Sequence, residues 1–391
     1  MKLNIGVMFG GESVEHEVSV ISALQAINAI DKTKYNVIPI YISKTREFYS
    51  SDELLDMETY SDLDLLTKTV PQVILFKENQ HVRMRQLKKR MFRSQKQVDI
   101  DVVIPVLHGT NGEDGVVQGM LEMLDVSYAG CDVIAAAAGQ DKVIMKMVFE
   151  HEGLPIVPWH WFYYEDFNLR RERHIKEIGK IGYPVVIKPA CLGSSIGITV
   201  AKNEMEALLA IETASKYDEK IVVEKAVENL REINCSVLGD SHSCKASVLE
   251  EVTKNDVILS FQDKYTGNAK GSQGMASTQR IIPARLEQEM TTKVQDYAIR
   301  VFRGIGAAGV CRIDFMIDGD TNALYVNEIN TIPGSLAFYL WSHTGVDFIA
   351  LMDSLIEIAL ERTRRKDKMI YSYSSNILSN YSNAGSKGVK Q

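Results

Sequence analysis

Two short strings carry the clearest chemical pattern in this chain: Arg312-Ile313-Asp314 and Glu328-Ile329-Asn330. Each lies in a run that predicts a strand, over Val310–Ile317 and Leu324–Ile329. Positions i and i+2 of a strand share a face, so Arg312 projects with Asp314, and Glu328 with Asn330. Adjacent strands would gather two carboxylates and an amide oxygen on one surface. Hard oxygen donors of this kind suit Mg2+, with Mn2+ an alternative, and the ion completes its shell with water and nucleotide phosphates. Polar residues on a solvated sheet face fit the same period equally well, so the pattern needs support from elsewhere in the chain.

Three other segments could contribute. Val186-Ile187-Lys188-Pro189 ends a strand and is followed by Gly193-Ser194-Ser195-Ile196-Gly197. A turn of small residues lets backbone N–H groups approach phosphate, and Lys188 could neutralise its charge, although such turns usually only reverse the chain. Gly10-Gly11 stands between a strand and a helix that holds Glu15 near its start. That junction is a ready anion site, or its carboxylate could hold an ammonium group, or it simply favours the helix dipole. His108-Gly109-Thr110-Asn111-Gly112-Glu113-Asp114-Gly115 follows the strand ending at Leu107, where open α/β sheets bind ligands. Gly304-Ile305-Gly306-Ala307-Ala308-Gly309 matches a dinucleotide fingerprint in form only, because it follows a helix and precedes a strand. The basic run Arg83–Lys96 reads as a solvated face rather than a polyanion contact.

These segments need elements to position them. Strands at Leu3–Phe9, Tyr35–Ile42 and Asp101–Leu107 alternate with helices at Val14–Ile30 and Val116–Leu124, which predicts a largely parallel sheet over residues 1–130. A small α+β unit follows over 131–225, and a second over 226–365 carries long helices at Leu286–Arg303 and Val346–Arg362. Asp263–Pro283, rich in Gly, Ser and Lys, has the length of a functional lid, and residues 366–391 read as a disordered tail. The chain of 391 residues suits roughly two to three domains. A net charge of −7 gives no reason to expect a nucleic-acid partner. Five cysteines without a Cys-x-x-Cys pair read as reduced thiols. No signal-peptide pattern and no run of ~18 apolar residues is visible, so a cytoplasmic protein without membrane contact is expected.

Taken in order, these segments resemble the D-alanine–D-alanine ligase family of the ATP-grasp fold. The resemblance runs from residue 3 to about residue 345. It includes Gly-Gly-x-Ser-x-Glu-His-x-Val-Ser, His-Gly-x-x-Gly-Glu-Asp-Gly, Asp141-Lys142, Lys188-Pro189, the Gly-Ser-Ser turn, Glu224-Lys225, Arg231-Glu232, Lys264-Tyr265, Arg312-Ile313-Asp314 and Asn327-Glu328-Ile329-Asn330-Thr331-x-Pro333-Gly334. Each is weak alone, and their joint order is specific. The resemblance implies a three-domain fold with an N-terminal parallel α/β domain, α/β and α+β in class. It also implies an ATP- and Mg2+-dependent enzyme that joins two small amino acids through an acyl-phosphate for peptidoglycan precursors, and a homodimer.

The same resemblance implies roles. Lys142, Lys188 and Lys264 would contact ATP phosphates, with Ser194 and Ser195 in the phosphate turn. Glu224, Lys225 and Val227 would line the adenine hinge, and Glu232 would hold the ribose. Asp314, Glu328 and Asn330 would bind Mg2+. Glu15 would take the ammonium of the first amino acid, in a network with Ser194 and Tyr265, and His108 would lie at the substrate. Arg312 and the N–H of Gly334 would polarise the tetrahedral centre, and Ser335 would seat the carboxylate of the second amino acid. The chain departs from the family pattern at Phe261-Gln262-Asp263, in the longer loop after Tyr265 and in a shortened segment after Gly334. The divergent segments should line the second-substrate pocket, which leaves D-alanine, D-serine, D-lactate or another amino acid open as acceptor. A nucleotide-binding regulatory protein without turnover is the competing class.

Overall fold

The computed structural model describes residues 2–87, 97–194, 196–253 and 279–373. Ser195, Lys264, Tyr265, most of the expected lid and the residues after 373 lie outside them.

The first of three sheets contains β1 (Leu3–Gly10), β2 (Tyr35–Ile42), β3 (Phe48–Tyr49), β4 (Gln72–Glu78), β5 (His81–Gln86), β6 (Gln97–Ile100), β7 (Val102–Val106) and β8 (Ser127–Tyr128). Their spatial order is β6-β5-β4-β3-β2-β1-β7-β8. The strands β2, β1, β7 and β8 are parallel. β1 reads as one apolar run because Ile5, Val7, Met8 and Phe9 are buried on both faces. It ends at Gly10, where φ is +90° and a Cβ would stand 2.3 Å from the Ile42 carbonyl oxygen. Only glycine fits that approach, and the chain then enters the helix His16–Ala29. Beyond β2 the sheet continues antiparallel through β3 to β6, an extension that the sequence reading left unassigned.

The second sheet, β11-β10-β12-β9, is antiparallel and contains β9 (Trp159–Tyr163), β10 (Val185–Pro189), β11 (Thr199–Ala201) and β12 (Lys220–Lys225). The third, β15-β14-β13-β16-β17, contains β13 (Leu230–Gly239), β14 (Cys244–Thr253), β15 (Gln279–Ile281), β16 (Gly309–Asp318) and β17 (Leu324–Asn330). The helix Gln288–Ile305 buries Val294, Ala298, Val301 and Phe302 at helical spacing, in a core shared with Ile313 and Phe315 of β16.

The last helix, Phe348–Lys366, returns to the start of the chain. Leu351, Met352, Leu355 and Ile356 join a core with Ile5, Val7 and Ile104. Burial of each such side chain contributes ~1.5–3 kcal/mol. Arg362 adds hydrogen bonds to the carbonyls of Tyr128 and Gly130, at 2.6 and 2.7 Å. The first sheet and the C-terminal segment therefore share one core.

Candidate active site

A cavity of about 510 Å³ collects residues from all three sheets: Glu15 after β1, Lys188 and Glu224 from the second sheet, and Glu232, Asp314 and Glu328 from the third. Lys142, Ser194, Lys225, Val227, Arg312, Asn330 and Gly334 also line it. Thus most of the sequence-predicted site residues meet in one place.

One end is rich in lysine. Asp141 caps the helix Lys142–His151 by accepting from the N–H of Val143 at 2.8 Å, which places Lys142 in the first turn. Lys142 Nζ donates to the Leu192 carbonyl at 3.0 Å and lies 3.8 Å from Glu328. Lys188, on β10, donates to Glu224 Oε2 on β12 at 2.7 Å. Lys146, one turn beyond Lys142, lies 3.0 Å from the other oxygen of Glu224. Burial pushes Glu224 upward, but Lys146 and Lys188 outweigh it and hold the carboxyl at about 2. Burial depresses Lys146, whereas Glu224 and Glu328 hold Lys188 above its ordinary value against the same burial. This triad carries one net positive charge, set where an anion can compensate it. Lys225 instead turns to the carbonyls of Gly182 and Tyr183, at 3.1 and 3.0 Å.

The oxygen cluster follows from strand register. β16 and β17 pair Arg312 with Asn330 and Asp314 with Glu328. Arg312 Nε and Nη2 each donate to Asp314 at 2.7 Å, a two-pronged pair, and Asn330 Nδ2 donates to Asp314 Oδ2 at 3.1 Å. Burial raises Asp314 to about 6; Arg312 pulls it down, while Glu328 and Glu232 push it up. Among the described residues no three His, Cys, Asp or Glu side chains form a metal cage. The donor set is two carboxylates and an amide, and the repulsion between Asp314 and Glu328 is what a divalent cation bound between them would relieve. The residues therefore fit Mg2+.

The other end is built around Glu15. Ser194, held at φ +55°, donates its hydroxyl to Glu15 Oε1. Nearby Glu113 accepts from the N–H groups of Gly109 and Ile332 at 2.9 and 3.1 Å, and so ties the loop after β7 to the segment after β17. Burial, and then the Glu15 carboxylate, push Glu113 up to about 8 against those bonds.

His108 and Ser335, expected at the substrate, are not among the lining residues. Both are buried and meet at Ser22, whose hydroxyl lies 3.1 Å from His108 Nε2 and accepts from Ser335 N at 3.0 Å. Burial pushes the His108 imidazole down to about 4, and Arg312 acts in the same direction. The backbone at Ser335 is unusual. Ser335, Leu336 and Ala337 all take left-handed backbone angles, φ +50°, +53° and +50°, which turns the shortened segment inward. Such angles cost roughly 1–2 kcal/mol per residue, offset by burial of Leu336 and Ala337.

Several lining or supporting residues escaped the sequence reading: Lys146, Asn234, Glu250, Arg280 and Tyr339. Two had a usable signal. Lys146 follows Lys142 by four on one helix, and Asn234 follows Glu232 by two on one strand, so each shares a face with a residue already singled out. Glu250, Arg280 and Tyr339 come from separate segments and show no such spacing.

The chain matches the D-ala D-ala ligase N-terminus family over residues 4–131 and the D-ala D-ala ligase C-terminus family over residues 148–357. It belongs to the D-alanine–D-alanine ligase family. The D-alanine–D-alanine ligase of Thermosipho melanesiensis is 39% identical over 380 residues, covering 96% of this chain and 98% of that one. That of Caldicellulosiruptor bescii is 38% identical over 380 residues, covering 95% and 99%. Among solved structures, the D-alanine–D-alanine ligase from Coxiella burnetii superposes with a TM-score of 0.79 at 29% identity, over 94% of this chain and 96% of that one. The VanG D-Ala:D-Ser ligase from Enterococcus faecalis gives 0.77 at 27% identity, over 92% and 100%. The family's ATP-grasp fold is the one expected from the sequence, and this member is a ligase. No helix among the described residues is long and apolar enough to cross a membrane.

Proposed function

We propose that this protein joins D-alanine to D-alanine through an acyl-phosphate, at the expense of ATP, for peptidoglycan precursor synthesis in the cytoplasm. The observation that carries the reading is the meeting in one cavity of lysines suited to phosphate, the Asp314–Glu328–Asn330 oxygen set and a carboxylate, Glu15, suited to an ammonium. A carboxylate is a poor electrophile, and accepting the terminal phosphoryl group of ATP gives it a good leaving group. Such a transfer needs positioning and charge neutralisation rather than an enzyme nucleophile.

In this reading Lys142 and Lys188 neutralise phosphate oxygens, and Val227 with the backbone of 224–227 borders the adenine. Glu232 holds the ribose. Asp314, Glu328 and Asn330 hold Mg2+, which when bound offsets charge on the phosphates. Glu15, oriented by Ser194, fixes the ammonium of the first amino acid. Arg312 and the Gly334 N–H face the oxygen that gains charge when the second amine attacks. The domain limits near 130 and 225, and a homodimer, belong to the same reading.

Purified protein with ATP, Mg2+ and D-alanine should release ADP and phosphate in step with a product of the dipeptide mass. ADP binding without amino-acid-dependent ATP hydrolysis would instead favour a regulatory protein. The likeness to a D-Ala:D-Ser ligase and the shortened segment after Gly334 favour testing D-serine, with D-lactate, as competing acceptors in the same assay.

A further inference from the structure

The cavity contains a polar cluster that no step above employs: Glu250, Asn234, Tyr339 and Arg280. The Glu250 side chain is 1% exposed. Its Oε2 accepts from Asn234 Nδ2 at 3.1 Å and from the Tyr339 hydroxyl at 3.2 Å. Arg280 Nη1 lies 3.3 Å from Oε1, an ion-pair distance without hydrogen-bond alignment. The Arg280 guanidinium also sits over the Tyr339 ring, 4.9 Å from its centroid. A carboxylate buried this deeply is costly unless it does something with its charge. Here it fixes a partly exposed guanidinium against an aromatic face at the cavity wall.

Among the described residues, three other cations of the cavity already face carboxylates. Arg312 spends its fork on Asp314, Lys188 is bonded to Glu224, and Lys142 faces Glu328. A guanidinium carries five N–H donors in a fork that matches a carboxylate, and the loose contact with Glu250 leaves that fork able to engage one.

We propose that Arg280 reads the α-carboxylate of the second amino acid, with Glu250 and Tyr339 as positioning residues that hold its guanidinium. The inference rests on the ligase reading above and deepens it. It places acceptor recognition on a charge that D-alanine, D-serine and D-lactate all share, so Arg280 selects for a carboxylate and not among these acceptors.

The test compares the wild-type chain with Arg280→Gln and Arg280→Lys, using D-alanine and D-alaninamide as acceptors and product mass as readout. Arg280→Gln should raise the acceptor KM for D-alanine by ~10- to 100-fold, the worth of a charged hydrogen-bonded contact. The KM values for ATP and for the first D-alanine should stay within about twofold. Use of D-alaninamide, which lacks the carboxylate, should be the same in Arg280→Gln as in wild type. Arg280→Lys should restore part of the loss, and Glu250→Gln should raise the same KM by less. An unchanged acceptor KM in Arg280→Gln, or an equal loss on both acceptors, would overturn the assignment while leaving the ligase reading intact. A wild-type chain that releases no ADP with any amino acid would overturn both.

Discussion

The two ends of the cavity are built on different terms. At the lysine end, Glu224 is almost fully enclosed and its charge is met by Lys146 and Lys188 on paired strands and a neighbouring helix. At the amino-acid end, burial and the nearby Glu15 carboxylate keep Glu113 protonated at neutral pH, His108 is kept neutral, and three successive residues hold left-handed angles. The first end is an ion-pair triad with one surplus positive charge. The second sets Glu15, oriented by Ser194, near an uncharged Glu113. On the proposed reading, phosphate meets a surplus of positive charge, whereas the ammonium of the amino acid meets the Glu15 carboxylate.

The most damaging change should be at the seam between the ends. Asp314→Asn or Glu328→Gln should lower kcat by about a thousandfold with the circular dichroism spectrum unchanged; wild-type turnover with an unchanged Mg2+ requirement would refute the metal assignment. Glu224→Gln should break the lysine end by removing the carboxylate that bridges two buried ammonium groups. It should cost ~3–5 kcal/mol in urea unfolding and raise the KM for ATP more than that for either amino acid.

The amino-acid end can be sharpened through pH. His108 is held near 4 when folded, against 6.5 for the free side chain. Below 6.5 the unfolded chain gains a proton that the folded chain does not. Stability is therefore lost as pH falls from 6.5 towards 4, by up to ~3 kcal/mol. His108→Asn should flatten that slope in urea titrations run across the same window. The smallest effect is expected from Lys142→Met, which removes one of several phosphate cations. It should raise the KM for ATP ~10-fold and leave the amino-acid KM values in place.

How much was legible in the sequence follows the same division. Arg312, Asp314, Glu328 and Asn330 could be placed together because a strand repeats every two residues, and the observed register pairs them directly. Lys188 and Glu15 were visible because each adjoins a glycine-rich break in a regular element. The antiparallel extension β3–β6 was not visible. Its β4–β5 turn uses Asn79 and Gln80 at φ +49° and +67° in place of the glycine that normally marks a hairpin. Arg280, Glu250 and Tyr339 meet only through sheet order and the turn after Gly334, and no local spacing encodes either. The left-handed turn after Gly334, which brings the Ser335 N–H to the Ser22 hydroxyl, has no local signature either.

The central claim is that the cavity activates a carboxyl group by phosphorylating it. D-alanine labelled with 18O in its carboxylate, turned over with ATP and Mg2+, tests this directly. The account predicts one labelled oxygen in each inorganic phosphate released, because the acyl–phosphate bond is formed from that oxygen and broken at carbon. Dipeptide formation with unlabelled phosphate, or with the label in AMP, would contradict it.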